Sequence, residues 1–571
     1  MSTPAPEIKL ESTYRSPVAT GEIVWIADPS SGRVAYIDAK TLVVQTVNAG
    51  NGPTYIAPVP DPVTMDDVAI VQNVSSNDAT LFRVHAGAVS SKRYPSIPDA
   101  NSWAISPKGR WAIAWANATF IHNPATSQGF QHVEVLDLLA VTSHNIVLNV
   151  GYRPSQVVFS SDETHAYAVT QDGLSVLDLT GGAVPAAVAL YPLSTIAPPS
   201  AAPDAGAPEA AAPEAAAPEA GLPDEASLPD ANGDGPPADG SPGPQPTGDR
   251  GPEGGSMVDA LVATNEGGTP TTVSTTPDVS FTADAKYALV RLDGSPVVNV
   301  VSMADGATVP VTLPSAPTDL TVSPTGTFAV AVMRDISTIA ILPLPGIFTA
   351  PTSFTEVAIP GQTIGRALVT DDGRSALLFT TVLPVDSLTV LTLGAAPTYR
   401  TVSLHAPVLA VFPTHNGADA VVLHQAPALG SADLPAFSLV PISQSLPALI
   451  QPVNAPPSAV AVSPDSDYAL VSTGLDTGTV ASGTGASSSF GVYLGLLPSL
   501  QVIPYQLASP PMAVGIAEVA GKGFVAQDYP DGRITFIDPK AASSCDAAIC
   551  NATRTITGFE LSARVVNGGS Q

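Results

Sequence analysis

The chain is poor in charge, in aromatic rings and in cysteine. Of its 571 residues, 13% are charged and 6% are Phe, Trp or Tyr. Two cysteines, Cys545 and Cys550, are too few for a disulfide-stapled scaffold or a cysteine-rich metal domain. No apolar run approaches the roughly 20 residues that a membrane-spanning helix needs. No long segment combines a 3.6-residue apolar period with Leu, Glu and Lys, which argues against a helical protein. Basic residues are scarce: 22 Lys and Arg stand against 50 Asp and Glu, a net charge of −28. Such a surface repels phosphate, so nucleic acid and anionic lipid are disfavoured as partners. Basic proteins, cations and neutral ligands stay open to it. The sequence also lacks a Walker loop, G-x-S-x-G, H-E-x-x-H and C-x-x-C, and its many carboxylates form no pair whose spacing assigns catalysis.

What is present is turn and strand. Pro (58) and Gly (46) are abundant, and 44% of the residues are hydrophobic. The stretch from Ile23 to Pro58 holds three β runs, Ile23–Ala27, Arg33–Asp38 and Leu42–Val47, and a fourth opens at Thr54–Ala57. Arg33-Val-Ala-Tyr-Ile-Asp38 alternates with a period near two, as a half-buried strand does. Ser31-Gly32 between apolar runs is a hairpin signal, because Gly accepts positive φ. Four such runs make a four-stranded antiparallel blade. Trp25-Ile-Ala-Asp-Pro, Ser31-Gly32, Val34-Ala-Tyr-Ile-Asp38, Ala49-Gly50 and Pro53-Thr-Tyr-Ile-Ala57 follow in order. In that order they resemble the YVTN-type (YncE-like) β-propeller repeat. Relatives of that repeat include lactonase-like sugar-lactone hydrolases and quinoprotein propellers, and none of their functional residues maps onto this chain.

Similar units recur. Turns of the form Ser/Thr-Pro/Asp-x-Gly, or variants of it that keep the leading Ser or Thr, join strand pairs around Trp103–Ala116, Ser155–Thr170, Asp278–Leu292, Asp319–Met333, Arg366–Thr380, Val408–Leu423 and Ser458–Ser472. The last unit, Met512–Asp538, repeats the first: Asp531-Gly-Arg-Ile-Thr-Phe-Ile-Asp538 against Ser31-Gly-Arg-Val-Ala-Tyr-Ile-Asp38. The spacing of roughly 40–55 residues and a count of about ten repeats predict an all-β propeller. One large ring is preferred, with two smaller propellers as the alternative. The first unit shows no inner strand before Ile23, so the C-terminal segment Phe559–Val565 is expected to pair with the N-terminal blade and close the ring. The organisation expected is a tail (1–20), a first set of blades (21–196), an insert (197–256) and a second set with the closing strand (257–571). The insert is rich in Pro, Ala, Gly and acids and cannot bury enough surface to offset its ordering entropy, so disorder is expected there.

Several constellations are candidates for chemistry. Asp230-Ala-Asn232-Gly-Asp234-Gly matches the opening of a calcium loop, yet the twelfth position is Ser241 and Pro236-Pro237 intervene. Solvated low-complexity sequence is the stronger reading, and calcium is the only cofactor suggested. His405 and His424 fall on one rim of one blade, near enough to share a transition metal, though no third ligand is evident. Cys545 and Cys550 suit a local disulfide worth roughly 2 kcal/mol, with a free thiol pair as the alternative. The turns between second and third strands carry Asp28, Asp172, Asp293, Asp335, Asp528 and Asp531, with Arg291 and Arg334 among them. They define an acidic, polar rim that could bind a partner, although Asp also favours turns for local reasons.

These features point to a non-catalytic, exported binding or scaffold propeller presenting rim loops to a protein or glycan at a bacterial cell envelope. The cysteine pair and the insert favour the periplasm, the outer membrane or the cell exterior; no apolar signal core opens MSTPAPEIKL, so a cytosolic protein is the alternative. A lactonase-like hydrolase with a metal or carboxylate site at the channel mouth is the alternative. The sequence assigns no oligomeric state.

Overall fold

A computed structural model describes residues 7, 18–118, 130–143, 145–180, 184–193, 277–427, 433–474, 490–543, 552–558, 561 and 566–567. The chain divides into two units, 1–198 with 271–571, and 199–270. The second unit lies outside the described residues, as do the whole predicted insert (197–256), its Asp230, Asn232 and Asp234, and the Cys545–Cys550 pair.

Ten sheets, each of four consecutive antiparallel strands, build the first unit. They span 19–48, 53–95, 102–149, 156–192, 278–312, 319–358, 366–403, 408–452, 457–506 and 511–557, and are numbered blades 1 to 10. Within a blade the strands run a, b, c, d in chain order. Strands a of successive blades lie against one another, while strands d face water, as at Val44–Asn48. Strands b and c are covered on both faces by neighbouring blades. They therefore read as continuous apolar runs, and Ile23–Asp28 is buried at every position. The result is a ten-bladed β-propeller.

Ten apolar clusters hold the ring, one at each junction between neighbouring blades. At roughly 1.5–3 kcal/mol per fully buried large side chain, each junction outweighs any polar contact across it. Trp25 of blade 1 stacks on Phe82 of blade 2 with ring centroids 6.1 Å apart. The last junction brings Phe524, Ile534 and Phe536 of blade 10 against Val24, Ile26 and Ile37 of blade 1. Every step from blade 1 round to blade 10 and back is apolar, so the ring is single and the two-propeller alternative falls.

Closure differs from expectation. The inner strand of blade 1 is Ala19–Thr20, which folds back on Ile23–Val24 through Gly21. It does not come from the C-terminus, and Ala19–Thr20 is not part of a tail. The chain end instead adds Val566–Asn567, in parallel, to Tyr55–Ile56 at the inner edge of blade 2. Of the segment proposed as the closing strand, only Leu561 is described, buried in the junction of blades 10 and 1. A two-residue strand beside a tight turn closes a far smaller loop than a strand recruited from the other end of the chain, and costs less entropy.

Seven blades share one a–b connection. In blades 3 to 9 a Ser or Thr hydroxyl accepts the backbone N–H five residues on: Ser106, Ser160, Thr282, Ser323, Thr370, Thr414 and Ser463, at 2.9–3.3 Å. The carbonyl of the same residue accepts the N–H three residues on, as in Gly109 to Ser106 at 2.9 Å. The residue at that third step has positive φ, which is why Gly recurs there. Gly109 is also tightly packed, since a Cβ there would lie 1.9 Å from the Pro60 carbonyl oxygen.

Candidate binding rim

The opposite rim gathers the ends of strands b, the starts of strands a and the b–c turns. Within two residues of the end of strand b, every blade places a buried polar side chain. In order these are Asp28, Asn73, Asn117, Thr170, Arg291, Arg334, Thr380, His424, Thr473 and Gln527. The apolar run of strand b stops where the interblade core stops, and a polar group takes over at the rim. Each must find a partner there. Asn73 Nδ2 donates to Thr80 Oγ1 at 2.9 Å, and Gln527 Nε2 to Thr535 Oγ1 at 2.7 Å.

The rim residues expected from the sequence take unequal roles. Asp28 is buried and accepts the Ser30 and Ser31 amides of its own turn, a local structural use. Asp172 is exposed and its Oδ2 accepts the Tyr152 amide at 2.6 Å, tying blade 4 to the connection from blade 3. Arg291 is enclosed: its Nη1 donates to Asp293 at 2.6 Å and to the Pro317 carbonyl at 3.1 Å, and its Nη2 to Asp278 at 3.3 Å. Asp335, Asp528 and Asp531 are exposed.

His405 and His424 do meet, with ring centroids 6.4 Å apart. His424 has both nitrogens engaged, Nδ1 with the Ala406 carbonyl at 2.9 Å and Nε2 with Ser438 Oγ at 2.7 Å. A carbonyl only accepts, so Nδ1 carries the proton and Nε2 accepts from the serine. Burial, aided by the His405 charge, holds the imidazole pKa down to about 4, which keeps this neutral tautomer. His405 Nε2 lies 3.2 Å from the Leu434 carbonyl. The pair is a hydrogen-bonded corner, and among the described residues no three His, Cys, Asp or Glu side chains group as metal ligands.

Arg334 is different, because its partner comes from the far end of the chain. The Glu7 carboxylate enters the rim between blades 6 and 7. Glu7 Oε1 accepts from Arg334 Nη1 at 2.6 Å and from Thr380 Oγ1 at 2.8 Å. Glu7 Oε2 accepts from the Thr381 amide at 2.8 Å and from Thr381 Oγ1 at 2.9 Å. The two ionic side chains are 7% and 1% exposed, so the contact is desolvated. Gly365 forms the wall: a Cβ there would fall 1.8 Å from Glu7 Oε1.

The pocket is held from outside. Gln425 Nε2 donates to the Thr381 carbonyl at 3.0 Å, Thr318 Oγ1 to the Gly365 carbonyl at 2.7 Å, and the Ala367 amide to Asp319 Oδ2 at 3.0 Å. These bonds fix Thr381 and Gly365 and pre-form a cradle for one carboxylate. Of its parts only Arg334 was legible beforehand. Thr380 and Thr381 carry a weak signal, a hydroxyl pair ending an apolar strand. Glu7 carries none, because its partners lie 327 to 374 residues away.

No protein-family model matches the chain, and no curated protein matches it in sequence. Solved structures similar to it include hydrazine synthase of Kuenenia stuttgartiensis, at 14% identity and a TM-score of 0.32, over 49% of this chain and 84% of that one. The dihydro-heme d1 dehydrogenase NirN in complex with DHE is similar at 11% identity and a TM-score of 0.39, over 88% and 79%. A eukaryotic initiation factor is similar at 10% identity and a TM-score of 0.41, over 89% and 97%. Likeness at this level leaves function to the chain's own residues.

Proposed function

We propose that the chain is a binding or scaffold propeller of YVTN-like repeats that presents its polar rim to a protein or glycan partner at a bacterial cell envelope. One observation carries the reading: seven blades repeat a single turn on one rim, whereas on the other each blade ends strand b in a buried polar group whose identity is not fixed. A repeated device answers a repeated structural need. Groups that vary around a ring set different turns beside them, exposed Asp172, Asp335, Asp528 and Asp531 among these, so each angular position offers an asymmetric partner its own acceptors. Propellers host enzymes as well, and a lactonase-like hydrolase at the channel mouth is the competing reading.

The test uses the full chain and two sets of exposed substitutions. One set alters the polar rim (Asp335→Lys, Asp528→Lys, Asp531→Lys). The other alters the opposite rim (Asp371→Lys, Asp465→Lys). Both are screened against arrays of envelope glycans and of charged peptides, and against sugar lactones. Binding lost in the first set and kept in the second is the expected result. Equal behaviour of the two sets overturns it. Lactone hydrolysis abolished by the first set favours the enzyme.

A further inference from the structure

We infer that the Arg334 cleft is a receptor for the side-chain carboxylate of a glutamate in an acidic peptide, and that Glu7 of the same chain occupies it as an internal competitor. This rests on the polar rim being the binding face, and it names the ligand chemistry and the regulation of one position on that rim.

Four donors converge on two oxygens: a guanidinium nitrogen, two hydroxyls and a backbone amide. That set matches an ionised carboxylate and nothing neutral of the same size, since every group in it can donate and the Arg334 charge needs an anion. The donors are anchored to blades 6, 7 and 8 through Gly365, Thr381 and Gln425, so the cleft is pre-formed. Its depth selects the ligand. The Glu7 side chain is 1% exposed while its residue as a whole is half-buried, so the Glu7 backbone lies at the mouth and the carboxylate reaches in on two methylenes. A uronate bears its carboxylate directly on a pyranose ring, and the ring meets the mouth first. Aspartate is one methylene short. The Gly365 wall leaves no spare volume, because a single carbon there would strike the bound oxygen.

Glu7 precedes the first described strand of the ring and can leave the cleft without breaking any strand pairing among the described residues. A tethered occupant competes at an effective concentration on the order of millimolar, so an external peptide with the same contacts is largely shut out. A partner with additional contacts on the rim would displace it. The net charge of −28 slows the approach of acidic peptides at low ionic strength, and the desolvated contact then supplies the affinity.

The experiment is fluorescence polarisation with a labelled peptide of residues 2–12, at about 0.15 M salt where exposed charges are largely screened. Full-length Glu7→Ala protein binds this peptide at least tenfold more tightly than the wild type. Adding Arg334→Ala or Gly365→Ala to Glu7→Ala abolishes binding, and adding Arg374→Ala, exposed on the opposite rim, leaves it unchanged. The Glu7→Gln and Glu7→Asp peptides bind at least tenfold more weakly than the parent. Gly365→Ala removes no charge, so it carries the test should Arg334→Ala fail to fold.

Equal binding by wild type and Glu7→Ala overturns the internal competitor. Binding of the Gln peptide as tightly as the parent overturns carboxylate recognition. An Arg334-dependent uronate oligosaccharide that binds more tightly than the peptide overturns the peptide assignment. No peptide binding, with partner binding still lost on polar-rim substitution, overturns this inference and leaves the proposed function standing. Arg334-dependent peptide binding with partner binding indifferent to the rim does the reverse.

Discussion

Along one rim, blades 3 to 9 close their a–b connections with the same hydroxyl-capped turn. Along the other, the ends of strand b carry Asp, Asn, Thr, Arg, His and Gln with no fixed residue. Both rims face water at the edges of the same sheets, so the packing problem they solve is similar. The repeated turn is what that problem requires: cap the amide that starts strand b, and reverse the chain with one residue at positive φ. The other rim answers it differently from blade to blade, and its most elaborate answer, the Arg334 cleft, is also where the Glu7 carboxylate is bound. One rim repeats a single solution, and the other holds the proposed binding face.

Two glycines give the sharpest contrast, because a Cβ would collide at 1.9 Å in one and 1.8 Å in the other. At Gly109 the obstacle is the Pro60 backbone carbonyl, and φ is +72°. Gly109→Ala is expected to lose more than about 2 kcal/mol in denaturant unfolding, from strain and overlap together. At Gly365 the obstacle is the end of a side chain that can withdraw into water. Gly365→Ala is expected to cost less than Gly109→Ala, because the backbone at Gly365 is unstrained and both Glu7 and the emptied cleft regain water. Equal losses at the two positions would erase the distinction between the rims.

Between these extremes stands a buried acid. Glu134 in strand c of blade 3 is fully buried, and its Oε2 accepts the Ile97 amide at 2.6 Å and Asn145 Nδ2 at 3.1 Å. Burial pushes its pKa from 4.5 up to about 7, against the pull of those hydrogen bonds. The folded state therefore holds the proton more tightly than the unfolded one, and Glu134 costs stability as pH rises from about 4.5 to 7. Glu134→Gln should remove this loss, so the variant gains on wild type by about 2 kcal/mol between pH 5 and pH 8. A difference independent of pH would place the charge in water. Next in size come the turn hydroxyls. Ser160→Ala, Thr370→Ala and Ser463→Ala should each cost about 1 kcal/mol, and by similar amounts, because each loses the same capping bond. Widely unequal costs would mean that the seven turns are not equivalent.

Much of the fold was legible because its causes are local. Alternation such as Val34-Ala-Tyr-Ile37 and turns such as Thr370-Asp-Asp-Gly373 state strand and reversal directly. Ten blades followed from their recurrence, and the ten apolar junctions decide for one ring over two. Ala19–Thr20 is too short for any periodicity, so the closing strand was sought at the wrong end of the chain. The turn acids do share one rim, yet Asp28 serves its own turn and Arg291 is enclosed by Asp293 and Asp278. Glu7 could not be found, since nothing near it in sequence speaks of a contact that only the folded ring creates.

The most direct test is amide hydrogen exchange at Thr381, whose N–H donates to Glu7 Oε2. In the wild type this amide should be protected. In full-length Glu7→Ala it should exchange quickly, and saturating peptide of residues 2–12 should restore protection while the opposite rim stays unchanged. Identical exchange in all three states would contradict the account.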